Sequence, residues 1–111
     1  MADTSQVVDR LAKEFLDSRM PDIVRAFSPK HVILFGSRAK GEAREDSDID
    51  LILVSDQFKD VRFADRIARF LIEIRPRREV EPLCYTPEEF EELRKRVSIV
   101  AVAAREGIWI Q

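Results

Sequence analysis

The stretch FGSRAKGEAREDSDIDLILV, which runs from Phe35 to Val54, determines how this chain is interpreted. In it a Gly-Ser pair follows one apolar run, and two aspartates separated by a single isoleucine open another. The chain has only three glycines, and two of them, Gly36 and Gly41, lie here. The pattern is either a surface turn that leads into a strand or a phosphate-binding loop followed by a metal site. The flanking segments distinguish these two interpretations.

Apolar runs flank the loop on both sides. The segments His31 to Phe35 and Leu51 to Val54 are short and uniformly apolar, which predicts two buried strands. Because a strand sends alternate side chains to opposite faces, we expect Asp48 and Asp50 on one face and Ile49 in the core. Two carboxylates that share a small volume repel each other and need a proton or a cation. Their oxygens favour Mg²⁺ or Mn²⁺, and Mg²⁺ is usually held by one or two carboxylates together with substrate phosphate oxygens.

The residues after the first strand suit a phosphate site. Gly36 permits a close approach of the backbone, and Ser37 can cap a turn or donate its hydroxyl to a phosphate. One helical turn from Arg38 to Lys40 would leave free backbone N–H groups pointing at an anion. The side chains of Arg38 and Lys40 can neutralise triphosphate charge. Gly41 allows the chain to reverse, which would place the two strands side by side.

A third carboxylate is expected on a later strand. The segment REVEPLCYT, from Arg78 to Thr86, predicts that strand, and Pro82 suits only a sheet edge or a bulge. Two metal ions that bridge an attacking oxygen and a triphosphate need more ligands than two aspartates supply. Glu79 and Glu81 stand two residues apart and share a face. We expect Glu81 to be the third carboxylate because it lies further into the strand, with Glu79 as the alternative.

Helical periodicity accounts for most of the remaining chain. Apolar spacing predicts N-terminal helices over about residues 4–27: one from Asp3 or Thr4, and a short second one that begins near Pro21. Further elements are expected as helices from Val61 to Ile74, from Thr86 and from about Ser98 to Gly107, and as a strand from Ile108 to Ile110. The resulting order predicts an α/β domain in which helices cover one mixed sheet of about four strands.

Composition limits the classes of protein that remain. At 111 residues we expect a single domain. The net charge of −2 gives no general positive field, so a nucleic acid partner is not expected. The single cysteine, Cys84, cannot form an intramolecular disulfide, and no apolar run is long enough for a membrane span, so we expect a cytoplasmic protein without a membrane partner. A homo-oligomer is compatible with the sequence.

Other charged residues allow several interpretations. Arg75, Arg77 and Arg78 form a second basic run, which would either grip RNA or an acidic partner or be solvated loop charges. For Arg44 we expect a solvated charge on the loop and no contact with the nucleotide. His31 has no histidine or cysteine companion, so no metal is expected there.

The glycine and aspartate motifs together resemble a known signature. The Gly36-Ser37 pair, the Gly41 turn and the run from Ser47 to Leu51 resemble the GS…DxD motif of the DNA polymerase β-like nucleotidyltransferase superfamily. The chain length and the ending from Glu106 to Ile110 are similar to those of the minimal nucleotidyltransferases, which are often paired with a HEPN-domain partner.

The resemblance covers about residues 30–111 and implies one minimal nucleotidyltransferase domain over residues 1–111. In that family the Gly-Ser loop binds the β- and γ-phosphates, paired aspartates hold Mg²⁺, and a third acidic residue completes the site and can act as base. That third acid is commonly an aspartate and is a glutamate here. Matching positions imply nucleotide binding by Gly36 and Ser37, and metal binding and catalysis by Asp48, Asp50 and Glu81.

The implied activity is Mg²⁺-dependent transfer of a nucleoside monophosphate, AMP from ATP, to a hydroxyl acceptor. The resemblance further implies that the acceptor belongs to a HEPN toxin and that this chain is its antitoxin. The alternative is a non-catalytic binding module that masks a partner protein and carries a vestigial nucleotide site. In that case Trp109 and the alanine-rich helix before it would contact the partner, because aromatic anchors dominate interfaces.

Overall fold

Four strands form one mixed sheet in the structure, a computed structural model that describes residues 9–111. The strands are β1 (His31–Phe35), β2 (Ile49–Val54), β3 (Val80–Tyr85) and β4 (Ile108–Trp109). Their order across the sheet is β3-β2-β1-β4. β1 is antiparallel to both β2 and β4, whereas β2 and β3 are parallel. Parallel neighbours need a crossover connection, which a helix between β2 and β3 supplies.

Helices cover both faces of this sheet. They are α1 (Arg10–Phe27), α2 (Ser37–Lys40), α3 (Phe63–Ile74), α4 (Pro87–Leu93) and α5 (Ile99–Glu106), with a 3₁₀ turn at Asp56–Phe58. α1 and α3 pack on one face, and α4 and α5 on the other. The predicted α/β class, with about four strands covered by helices, is confirmed. Within residues 9–111 no helix is both long and apolar enough to cross a membrane.

The central strand β2 supplies side chains to two hydrophobic cores. Ile49, Leu51 and Leu53 are fully buried in the core under α1 and α3. Ile52 and Val54 lie in the other core, under α4 and α5. Burying each such side chain stabilises the fold by roughly 1.5–3 kcal/mol. Burial on both faces explains why this strand is a continuous apolar run and not an alternating one.

The N-terminal region is one helix where two were predicted. α1 continues through Pro21, which lies on its exposed side. Phe15 and Leu16 before the proline, and Ile23 and Phe27 after it, are buried in the same core. Their burial outweighs the cost of about 3 kcal/mol for an interior proline. The predicted start at residues 3–4 lies outside the described residues.

The other elements differ from their predicted bounds by a few residues. β2 begins two residues earlier than predicted because Asp50 pairs with Phe35 of β1. α4 begins as predicted, with Thr86 as N-cap and Pro87 at its first position.

Pro82 occupies an edge strand, as predicted. β3 lies at the end of the sheet. The carbonyls of Glu79 and Tyr85 accept the N–H groups of Ile49 and Ser55, so the odd-numbered residues of β3 direct their polar backbone groups at β2. The nitrogen of Pro82 therefore faces the free edge, where no N–H is needed.

Candidate active site

Three carboxylates meet where β2 and β3 begin. Asp48 precedes β2, and Asp50 is its second residue, so both project to one face while Ile49 is buried on the other. The parallel register sets Asp50 beside Glu81 of β3. Ile52 and Val54, which follow Asp50 on the same face, pack under α4 and α5. The carboxylates therefore lie at the end of the sheet on the α5 side.

The charges in this group act on one another. The pKa of Asp50 is raised from 3.8 to about 6 by burial first and then by the charges of Glu81 and Asp48. Asp50 is therefore ionised at neutral pH and remains close to two other carboxylates. Like charges held this closely favour a bound cation, and their oxygens are the ligands that Mg²⁺ and Mn²⁺ prefer. The donor set thus fits a divalent ion.

The ligands do not already surround a common point. In the described part of the chain, no three His, Cys, Asp or Glu side chains are arranged to hold an ion. Between the two candidates for the third carboxylate, the register favours Glu81, since Glu79 precedes β3 and does not contribute to the shifted pKa of Asp50.

Gly36 lies directly against the Asp50 carboxylate. A Cβ atom placed on Gly36 would overlap the Asp50 Oδ2 oxygen. Gly36 also has a φ of 74° and a ψ of −155°, a region that is open almost only to glycine. The glycine loop and the carboxylates therefore form one site, and the residue at position 36 has no room for a side chain.

The loop continues as the single turn α2. The N–H groups of Ala39 and Lys40 donate to the Gly36 carbonyl, and Gly41 ends the turn in the left-handed conformation. The first N–H groups of such a turn, those of Ser37 and Arg38, have no intrahelical acceptor. They are available to an anion above the end of β1.

Arg38 and Lys40, both predicted to bind nucleotide, lie in different environments. Arg38 is 2% exposed, and its guanidinium donates to the carbonyls of Ser47 and Arg44 and to Asp9 Oδ2. The structure therefore does not bring the Arg38 side chain to the site, because its guanidinium donors already hold the loop before Asp48. Lys40 is exposed and lines the pocket beside Asp50.

That pocket has a volume of about 280 Å³. Gly36, Lys40 and Asp50 form one side of it, and Ile99 and Val102 of α5 form the other. The pocket thus joins charged groups to an apolar wall, as sites for organic ligands commonly do.

Sequence analysis missed this apolar wall. Ile99 and Val102 are 55% and 40% exposed, while Val100 and Ala103 of the same helix are buried in the core. A helix that buries one face needs only one apolar stripe. Ile99 and Val102 form a second apolar stripe on α5. This extra stripe was the feature of the sequence from which a binding surface could have been predicted.

The fold is thus a mixed sheet with acidic residues at the start of two neighbouring strands, next to a glycine loop. The chain belongs to the nucleotidyltransferase domain family, whose sequence model matches residues 13–109. It is therefore a transferase-type domain for nucleotidyl groups.

One solved structure supports the fold. It is the crystal structure of a "putative nucleotidyltransferase" from Sulfolobus solfataricus, with a TM-score of 0.55 and 22% identity over 82% of each chain. At this identity the likeness concerns the fold alone. No curated protein was found to match the chain.

Proposed function

We propose that this chain is a Mg²⁺-dependent nucleotidyltransferase that moves AMP from ATP to a hydroxyl group. The observation that carries the proposal is the meeting of Asp48, Asp50 and Glu81 at one end of the sheet, with Gly36 against the Asp50 carboxylate. Family membership supports nucleotidyl transfer in general. We further propose that residues 1–111 form one minimal nucleotidyltransferase domain.

The phosphates and the metal would be held by separate parts of the site. Asp48, Asp50 and Glu81 would bind Mg²⁺, with Mn²⁺ as a substitute, since all three offer hard oxygen ligands. Bound there, the metal would neutralise charge on the triphosphate and on the reacting oxygens. The backbone at Gly36 and Ser37 would hold the β- and γ-phosphates, and the exposed Lys40 would add positive charge.

In the proposed reaction an acceptor hydroxyl oxygen attacks the α-phosphorus of ATP. The bond from the α-phosphorus to the bridging oxygen breaks, and its electron pair leaves with pyrophosphate. Glu81 is the exposed member of the acidic group and would accept the hydroxyl proton. The residues of this chain would thus contribute mainly positioning and charge neutralisation.

The apolar wall of the pocket would face the nucleoside. Ile99 and Val102 offer an apolar surface on which a base can lie, and they shield one side of the site from water. The choice of ATP rests on the resemblance to the minimal nucleotidyltransferases.

We propose a HEPN-domain toxin as the acceptor and an antitoxin role, in the cytoplasm, for this chain. The support is the resemblance to the minimal nucleotidyltransferases together with exposed apolar side chains next to the pocket, at Val97 and Ile99. A protein acceptor that docks at Ile99 would lie beside the pocket that Asp50 lines.

The test is to purify the chain with a candidate HEPN partner and to weigh the partner before and after incubation with ATP and Mg²⁺. We expect the partner's mass to rise in steps of one AMP residue. A variant with Asp48→Ala and Asp50→Ala should give no increase, and Glu42→Ala with Asp46→Ala, two exposed acids in the nearby loop, should match the wild type. Replacing ATP with GTP, CTP or UTP tests which base the site accepts.

A second candidate is a non-catalytic module that masks a partner protein. Val97 and Ile99 favour it because both are strongly exposed. Trp109 is 38% exposed, its ring packs on Phe90 and His31, and its Nε1 donates to the Ala104 carbonyl. If toxin neutralisation survives in the Asp48→Ala, Asp50→Ala variant while transfer is lost, masking is the biological function.

A further inference from the structure

A second pocket, of about 200 Å³, lies between α1 and the connection from α3 to β3. It does not include any of the acidic residues of the candidate active site. Arginines dominate its lining: Arg19 of α1 and Arg75, Arg77 and Arg78 of the connection, with Ser18 and Glu14 beside them.

The positive charge of this pocket is only partly neutralised. Arg19 Nη1 lies 3.2 Å from Asp22 Oδ2. Across residues 9–111, neither Arg77 nor Arg78 forms an ion pair. Since the whole chain carries a net charge of −2, this local excess of positive charge stands out from the rest of the surface.

One donor in the pocket lining is buried without a partner. Arg19 Nε has no hydrogen-bond acceptor among the described residues although it is shielded from solvent. A buried donor without a partner costs about 1–3 kcal/mol. An anion that reached this nitrogen would supply the missing acceptor.

The connecting loop has a defined and strained conformation. Arg75 ends α3 with a φ of 49°, in the left-handed region where glycine is usual, and its Nε donates to the Ile72 carbonyl. Pro76 then restricts the chain before Arg77. Arg77 and Arg78 therefore follow a helix end whose backbone direction is set by Arg75 and Pro76.

We propose that this pocket binds a phosphate group. Guanidinium groups match the oxygens of a phosphate in paired hydrogen bonds, and several arginines together suit an anion with more than one charge. Among the described residues that line this pocket only Phe15 is apolar, which favours a phosphoryl group over the apolar body of a nucleoside. This inference is independent of the proposed transferase activity.

The position of the pocket relates it to the active site. Arg78 directly precedes Glu79, whose carbonyl accepts the Ile49 N–H at the start of β2. The phosphate site and the carboxylates thus lie at the same end of the sheet, with the phosphate site toward α1. The phosphate would come either from a free polyphosphate or from the backbone of a nucleic acid.

The test uses inorganic pyrophosphate as the probe, titrated calorimetrically in EDTA and low salt so that no metal-dependent binding contributes. We expect saturable binding that Arg77→Glu with Arg78→Glu weakens by at least about tenfold. The control variant, Lys95→Glu with Arg96→Glu, makes the same change in charge at exposed positions elsewhere. It should weaken pyrophosphate binding by less than about twofold. Asp48→Ala with Asp50→Ala should retain binding, so failure of the transferase proposal would not affect this result.

A second arm identifies the source of the phosphate. An unstructured RNA oligonucleotide without terminal phosphates is titrated against the same variants. If the RNA binds, loses affinity in the Arg77→Glu, Arg78→Glu variant and is displaced by pyrophosphate, the site is supported and its ligand is nucleic acid. Pyrophosphate binding without RNA binding supports it and assigns it to free phosphate. The proposal is overturned if neither probe binds saturably, or if both charge-reversed variants lose affinity equally.

Discussion

At the scale of single residues, Asp50 is placed where its charge opposes folding. Burial and the neighbouring Glu81 and Asp48 raise the pKa of its carboxyl to about 6. A raised carboxyl pKa means that the ionised form is less favourable in the folded than in the unfolded chain. At pH 8, where Asp50 is ionised, its charge therefore lowers the stability of the protein without metal.

Asp50→Asn should consequently stabilise the metal-free protein at pH 8. After allowance for solvent screening we expect a gain of about 1 kcal/mol, or about 4 °C in Tm, because the amide carries no charge and can donate to Glu81. Thermal unfolding in EDTA measures the gain, with Glu42→Gln as an exposed control of equal charge change. An unchanged or lower Tm for Asp50→Asn would contradict the pKa argument.

Gly36 and Gly41 share a φ of 74° but differ in their surroundings. Gly36→Ala forces a Cβ into the Asp50 carboxylate, whereas a Cβ on Gly41 would meet nothing within 4 Å. We expect Gly41→Ala to cost about 1 kcal/mol, the usual cost of a left-handed residue, and Gly36→Ala to cost at least about 2 kcal/mol. Urea unfolding of both variants measures the two costs. Equal losses would show that Gly36 is needed only for its backbone angles.

At the scale of elements, Arg38 connects the loop before β2 to α1. Besides Ser47 and Arg44, its Nη2 donates to the Glu45 carbonyl at 3.0 Å, and its Nη1 lies 2.8 Å from Asp9 Oδ2. One side chain thus satisfies several carbonyls of a loop that has no regular structure. Because this loop leads directly to Asp48, Arg38 acts on the candidate site by positioning it.

Arg38→Met should therefore lower the free energy of unfolding by about 3 kcal/mol, since it leaves Asp9 and the loop carbonyls without their donor. Arg44→Met, in the same loop but with an exposed side chain, should change it by less than about 0.5 kcal/mol. Urea unfolding measures both. Similar values for the two variants would show that the buried guanidinium does not hold the loop.

A second arginine, Arg66 of α3, fixes the start of α4. Its Nη1 and Nη2 lie 2.6 and 3.1 Å from the two oxygens of Glu89, and its Nη1 also donates to the Cys84 carbonyl. Glu89 in turn accepts the N–H of Thr86, which completes the capping box. The hydrogen bond from Arg66 is the main cause that lowers the pKa of Glu89 from its ordinary 4.5.

This pair makes stability depend on pH in a known direction. A carboxyl group whose pKa is lower in the folded chain than in the unfolded chain stabilises the fold above pH 4.5, its ordinary pKa. That stability is lost as the pH falls through the lower pKa of the folded state. Glu89→Gln keeps the cap but removes the charge. We expect the variant to be less stable than wild type at pH 7 and the difference to shrink below about pH 4 in urea unfolding. A difference that is the same at pH 7 and pH 3 would contradict the assignment.

At the scale of the whole molecule, the candidate site is assembled from distant parts of the chain. Its carboxylates come from β2 and β3, its glycine loop from the end of β1, and its apolar wall from α5. A ligand that contacts all of these elements binds only the folded state. Ligand binding should therefore stabilise the fold as a unit.

We expect ATP with Mg²⁺ to raise the Tm of the wild type by about 10 °C at one hundred times the dissociation constant, which corresponds to about 2.7 kcal/mol. Asp48→Ala with Asp50→Ala should show no shift, because the metal and its bound triphosphate lose their ligands. Differential scanning calorimetry with and without ligand measures both. The same shift in both proteins would place the nucleotide somewhere other than this site.

The strands, the α/β class and the local spacing of Gly36, Asp48 and Asp50 could all be predicted from the amino-acid sequence. Side-chain alternation and apolar periodicity are local properties, so they can be read from neighbouring residues. The prediction that Pro82 lies on an edge strand was correct for the same reason: a missing N–H restricts the residue wherever the strand is placed.

Which distant residues meet could not be predicted in this way, because it depends on how the elements pack together. The parallel register sets Glu81 beside Asp50, and it depends on the pairing of segments about thirty residues apart. Arg38 was expected at a nucleotide and is instead buried against a loop, and α1 continues through Pro21 because residues on both sides of it share one core. Such contacts arise from packing between elements, which no local pattern encodes and which outweighs single-residue preferences.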